Sequence, residues 1–229
     1  MLIGILQCGH FPFADGFPQR TYSDLYSGLL AGRGFTFRTW SVVDMDFPAN
    51  VDDAEGWLIT GSKHGAYEDL PFIPPLEAFI REAYAADIPQ VGICFGHQII
   101  AQALGGTVEK FSGGWCIGRT EYDFDGTPLS LNAWHQDQVT RAPADATTIA
   151  ATPFCQHAGF AYKGRAYSVQ PHPEFDVDAV ELLLKARAPG VVPTSLIEHA
   201  AKANAQPVAN NVIADGIAAF FKETPDHAR

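Results

Sequence analysis

Val91-Gly92-Ile93-Cys94-Phe95-Gly96-His97-Gln98 decides how this chain reads, because it joins the run after Ile88-Pro89 to the helical pattern Ile99-Ile100-Ala101-Gln102-Ala103-Leu104. It spells strand, tight turn and helix. The cysteine has a glycine two residues to either side, the arrangement of a nucleophile on a strained strand-to-helix turn with no bulky neighbour in its way. Unpaired N–H groups and the positive dipole end of the helix that follows favour thiolate over thiol. Cys94 is therefore read as reactive rather than as one of the inert thiols that pack most cores.

Before this stretch, Leu2 to Leu6 is a near-continuous apolar run ending in Gln7-Cys8-Gly9-His10, the pattern of a parallel strand covered on both faces. Thr21 caps a predicted helix with Tyr22, Leu25, Tyr26 and Leu29 on one stripe. Phe35 to Val43 and Gly56 to Thr60 read as the second and third strands, and Pro89 to Cys94 as the fourth. Leu76, Phe79, Ile80, Ala83 and Tyr84 fall on one face of the helix between the last two. Strand and helix are thus read as alternating four times, which predicts a doubly wound parallel sheet binding its ligand at the strands' carboxyl ends. Those ends carry Cys8-Gly9-His10, Thr60-Gly61-Ser62 and Cys94.

From Thr107 the pattern changes to short strands with hairpin punctuation, including Asp125-Gly126 and a turn through Gly164, which predicts an antiparallel or mixed extension. After Gln170-Pro171-His172-Pro173-Glu174 the chain reads as helical, ending in the stripe Ile213, Gly216, Ile217, Phe220 and Phe221.

The chain has 229 residues, 47% hydrophobic and 18% charged, enough to bury a full core, and no stretch approaches the length of a membrane span. Its net charge of −11 speaks against nucleic acid or an anionic membrane as partner, since both select basic surfaces. Cys8, Cys94, Cys116 and Cys155 have no metal-ligand spacing and no secretory signal precedes them, so reduced thiols and a cytoplasmic location are expected. His10, His64, His157, His199 and His227 show no ligand spacing either, and neither metal nor cofactor is expected.

A cysteine nucleophile needs a base, and the base a group that holds its tautomer. His172 and Glu174 stand at i and i+2, on one side of an extended segment whose prolines fix φ and hold the preceding residues extended. An isolated His172 would more often be a surface loop residue. Its pairing with a second motif reverses that reading.

Gly92-Ile93-Cys94-Phe95-Gly96-His97-Gln98 and Gln170-Pro171-His172-Pro173-Glu174 together resemble the nucleophile and His-x-Glu motifs of class I glutamine amidotransferases, which cleave a glutamine side chain through a γ-glutamyl thioester. The resemblance implies a three-layer α/β/α fold with a doubly wound, mostly parallel, flavodoxin-like sheet, an antiparallel extension and C-terminal helices. It implies a single domain over 1–229, with a helical extension from about 175. It makes Cys94 the nucleophile, His172 the general acid/base and Glu174 its orienter. The backbone N–H groups of Phe95 and Ser62 become the oxyanion donors, although Ser62 stands where the family shows glycine and resists the positive φ a glycine allows. Gln98, Gly61, Gln136 and Asp137 are assigned to substrate binding, the last two because Asn132-Ala133-Trp134-His135-Gln136-Asp137 resembles the family's Ser-His-Gly-Asp strand end. His97 is expected to pack or cap, and Tyr67-Glu68-Asp69 to be solvated loop.

Three functions remain open. The first is a glutaminase similar to that of guanylate synthetases, handing ammonia to a separate synthetase or acceptor subunit. A second is a free-standing γ-glutamyl peptidase, so that the small-molecule substrate is glutamine or a γ-glutamyl compound, and a third is a non-catalytic domain that keeps the pocket but only binds a ligand or partner. The Pro- and Phe-rich loop Phe11 to Phe17 is read as a lid or a docking surface.

Overall fold

The computed structural model describes residues 1–163 and 165–223. Gly164 and His227 lie outside them, so the turn expected at the first and the reading of the second are not addressed.

The amino-terminal half runs β1 (Leu2–Leu6), α1 (Tyr22–Leu29), β2 (Thr36–Trp40), β3 (Gly56–Ile59), α2 (Ile73–Ala85), β4 (Gln90–Ile93) and α3 (Phe95–Ala103). It continues with β5 (Thr107–Lys110), β6 (Cys116–Phe124), β7 (Thr127–His135), β8 (Asp137–Arg141), β9 (Ala146–Ala151), β10 (Gly159–Tyr162) and β11 (Ala166–Val169). Three helices follow, α4 (Val177–Ala186), α5 (Thr194–Ala203) and α6 (Asn210–Lys222).

Nine strands form one sheet in the order β2-β1-β3-β4-β11-β10-β9-β6-β7. The pairs β1–β2, β1–β3, β3–β4 and β4–β11 are parallel, and the pairs from β11 outward are antiparallel. This is the doubly wound, flavodoxin-like order, with its reversal between β1 and β3. Period-two alternation builds the layers. Ile3, Ile5, Leu58, Val91, Ile93 and Val169 face one core with Tyr22 and Leu25 of α1, Leu183 of α4 and Ile217 of α6. Leu6, Trp57 and Ile59 face the other, against Leu76 and Ile80 of α2 and Ile99 of α3.

Three expectations are corrected. No α-helix lies between β2 and β3 among the described residues; a 3-10 turn at Val42–Asp44 takes its place. The second strand accordingly ends at Trp40 rather than Val43, because the Ser41 hydroxyl donates to Asp44 Oδ2 at 2.6 Å and draws the chain into the turn. The sequence reading also passed over the small β5–β8 sheet and over α5. The Asp125-Gly126 hairpin is present, with both residues at positive φ and Phe124 opposite Thr127.

Thr21 caps α1 with a complete capping box, its side chain accepting from the Asp24 N–H. The glycines around Cys94 serve helix–sheet approach rather than thiol access. A Cβ on Gly92 would collide with the Gly96 carbonyl, and one on Gly96 with the Ile59 carbonyl of β3. That approach seats the α3 amino terminus at the sheet's carboxyl edge.

Candidate active site

Cys94 is the N-cap of α3 with φ 55° and ψ −103°, a conformation L-residues rarely adopt. Holding it costs about 1–3 kcal/mol. Two backbone bonds fix it, Cys94 N–H to the Val169 carbonyl at 2.9 Å and Gln98 N–H to the Cys94 carbonyl at 3.0 Å. The thiol, nearly buried, lies 3.9 Å from the Trp134 carbonyl and opens on a cavity of about 390 Å³. Phe95 turns its ring into the core while its N–H occupies the first turn of α3, whose amides have no partner within the helix.

The segment after β11 brings His172 to the same cavity. Its N–H donates to the Asn132 carbonyl of β7 at 2.8 Å, and its ring stacks on Phe175 at 4.0 Å. Nδ1 donates to Glu174 Oε1 at 2.7 Å. Both side chains are buried. An ionised carboxylate only accepts, so Nδ1 carries the hydrogen, and the buried Nε2 has no hydrogen-bond partner among the described residues. Burial works against charge on the imidazole, but the Cys94 thiolate and the Glu174 carboxylate outweigh it and raise the His172 pKa to about 10.

Glu174 Oε1 also accepts from the Tyr26 hydroxyl at 2.8 Å, and that hydroxyl in turn accepts the Gly61 N–H at 3.0 Å. Tyr26 thus ties the loop after β3 to the acid behind His172. Gly61 lies against His172 Cε1, where a side chain would press on the ring. Ser62 is not among the residues at positive φ, in keeping with the resistance a serine offers to that region. Its hydroxyl instead braces the loop, donating to the Cys8 carbonyl at 2.7 Å and accepting the His64 N–H at 3.2 Å.

Gln98, Gln136 and Asp137 line the same cavity. Gln98 Nε2 donates to the Asp137 carbonyl at 3.0 Å and to Gln170 Oε1 at 3.1 Å. The Gln136 carbonyl accepts the Phe111 N–H at 3.3 Å. Asp137 Oδ1 accepts from the Tyr67 hydroxyl at 3.2 Å, and burial raises its pKa against the lowering effect of that bond. Tyr67, Glu68 and Asp69 are exposed loop residues, as read, and the first two also border the cavity. Gly61, Phe95 and Glu174 stand behind the lining rather than in it.

Two residues escaped the sequence reading. Tyr26 was taken only as part of a packing stripe, although a buried phenol needs a partner for its hydroxyl. His135 is buried, and burial pushes its pKa down to about 4 despite its bond to the Asp137 carbonyl, with the charge of His172 pushing the same way. With Nδ1–H given to that carbonyl, its Nε2 is an acceptor without a partner among the described residues, on a side chain that lines the cavity. His97 packs as expected, stacked on Phe160, with Ser168 Oγ at 2.8 Å and the His157 carbonyl at 3.0 Å. Cys8 and Cys155 are core thiols, whereas Cys116 is only partly buried; burial pushes Cys155 up to about 12.

Residues 39–181 match the family profile described as glutamine amidotransferase class-I. Gamma-glutamyl peptidase 4 of Arabidopsis thaliana is 31% identical over 173 residues, 69% of either chain. A GMP synthase (glutamine-hydrolyzing) of Parafrankia sp. is 35% identical over 168 residues, 65% of this chain and 29% of that protein. The crystal structure of a glutamine amido transferase from Methylobacillus flagellatus superposes with a TM-score of 0.72 at 22% identity, over 100% of this chain and 98% of that one, and so shares the fold. The chain belongs to the class I glutamine amidotransferase family. Amide hydrolysis or amide-nitrogen transfer is the activity that membership supports.

Proposed function

We propose that this chain hydrolyses a γ-glutamyl amide through a thioester on Cys94, with His172 as general acid/base and Glu174 as its orienter. The observation that carries this reading is the buried 2.7 Å bond from His172 Nδ1 to Glu174, on an imidazole that lines the same cavity as Cys94. The Cys94 thiolate attacks the γ-carbonyl carbon, and the oxygen takes up charge facing the Phe95 and Ser62 N–H groups. As the C–N bond breaks, the His172 imidazolium gives its Nε2 proton to the departing nitrogen. Water then attacks the thioester, losing a proton to Nε2, and glutamate and the thiolate are regenerated. Within the cavity, Asp137 and the neutral His135 Nε2 supply acceptors for the substrate's α-ammonium, with Gln98 and Gln136 in the same lining and Gly61 behind it, against His172.

The described residues fold around one sheet, which supports a single domain with α4 to α6 as its extension. Where the amide is glutamine, the ammonia passes to a separate synthetase subunit, a reading supported by the likeness to part of a GMP synthase. A free-standing γ-glutamyl hydrolase is supported by the likeness to a gamma-glutamyl peptidase and by the aliphatic residues Leu183, Val191 and Val192 in the lining that His172 shares. Four free cysteines fit a reducing compartment such as the cytoplasm.

The test is steady-state release of glutamate and ammonia from glutamine, beside release of the amine from γ-glutamyl peptides. Cys94→Ala is expected to lose turnover and the mass of a trapped acyl adduct together. Undiminished hydrolysis by that variant would remove Cys94 from the mechanism.

A further inference from the structure

We infer that the cavity holds a second subsite, built by α4 and the loop after it, that takes a leaving group bearing its own carboxylate, which Arg187 reads. This rests on the thioester reading above. The substrate class is then a γ-glutamyl amino acid or peptide with a free carboxylate, rather than glutamine.

The position of the subsite follows from where the proton goes. The imidazole that protonates the departing nitrogen must lie on the leaving group's side of the scissile bond. His172 stacks on Phe175, and the cavity wall continues from Phe175 through Leu183, Arg187, Val191 and Val192. The α-ammonium and α-carboxylate of the γ-glutamyl part belong with Gln98 of α3 and Asp137 of β8, lining residues that come from other elements than this wall. Ammonia would present nothing to an aliphatic wall. An amino acid side chain would, and its carboxylate would meet the guanidinium.

Charge supports the same occupant. The chain carries −11 overall, yet three cationic side chains line this cavity, Lys63, Lys110 and Arg187, and only Arg187 is half-buried. Among the described residues its guanidinium has neither ion pair nor hydrogen bond. Two of the acids nearest on its own element are engaged elsewhere, Asp176 by Arg20 at 2.6 Å and Glu181 by Lys185 at 2.8 Å, while Asp178 adds to the field on Arg20. Its field reaches the Tyr22 hydroxyl, which lies beside Gly61 near His172. A half-buried guanidinium without an anion favours the planar, bidentate acceptor that a carboxylate offers. The covalent steps are those above, with the amino group of the released amino acid taking the His172 proton.

The test compares γ-glutamyl-leucine with γ-glutamyl-leucinamide, identical but for the carboxylate, with glutamine alongside. In the wild type the first is expected to exceed the second in kcat/KM by about tenfold or more. Arg187→Gln should bring that ratio close to one, mainly through KM for the acid, and Arg187→Lys should restore part of it. The amide measured in the same variant controls for folding. A ratio near one in the wild type, glutamine as the best substrate, or a ratio that survives Arg187→Gln would each overturn the subsite while leaving the thioester reading standing. Cleavage that persists in Cys94→Ala would instead sink the thioester reading, and the subsite with it.

Discussion

A buried imidazole held between a thiolate and a carboxylate makes its protonation a matter of folding. His172 titrates near 6.5 in an unfolded chain and near 10 in the folded one. Raised in this way, it contributes stability that is full below pH 6.5 and lost as pH climbs through about 10. Glu174→Gln removes one of the two charges behind the shift. The wild type's advantage over that variant in urea unfolding is therefore expected to be largest near pH 6 and to shrink toward pH 10; a difference flat across that range would mean His172 is not protonated in the fold. Its turnover should fall much less than in Cys94→Ala, because an orienter acts through the imidazole. At this scale Cys94, His172 and Glu174 were legible because short motifs with fixed spacing imply their own local geometry. Tyr26 was not, because its partners Glu174 and Gly61 come from distant parts of the chain.

Single elements were legible where local chemistry sets them. The Thr21 capping box, the Asp125-Gly126 turn and the stripe Leu76, Phe79, Ile80 and Ala83 each act within a few residues. Val42 and Val43 misled because β-branched residues read as strand, while the Ser41–Asp44 bond ends the pairing locally. The β5–β8 pair was invisible because four- and five-residue strands carry too little periodicity and depend on each other across a long gap. Helix approach was likewise hidden: the glycines flanking Cys94 look like access for the thiol and turn out to be spacers between α3, β4 and β3. Gly96→Ala drives a methyl into the Ile59 carbonyl, and a loss of about 2–3 kcal/mol in urea unfolding is expected. A change within about 0.5 kcal/mol would mean α3 slides freely over the sheet.

For the whole molecule, the parallel core could be read from alternating elements, but not the order in which the later strands join it. β11, near the end of the strand region, returns to pair with β4 and carries His172 beside Cys94. The last helices complete one face, since α4 and α6 cover Ile3, Ile5, Val91 and Ile93. A chain ending after Phe175 should therefore lose cooperative unfolding in calorimetry, as one unit with its sheet stripped. A sharp transition retained by that truncation would make the helices a separate appendage. No helix among the described residues is long and apolar enough to cross a membrane.

The Asn132–His172 bridge joins β7 to the segment that carries the imidazole, and the Asn132 and Asn210 side-chain amides both donate to the Phe175 carbonyl, at 3.1 and 3.0 Å. Those anchors lie far apart along the chain, and the last belongs to α6. During synthesis the thiol at position 94 leaves the ribosome well before His172, and the last of these anchors arrives only with Asn210. A nascent chain thus holds Cys94 without the clamped imidazole until the residues through Asn210 have followed it.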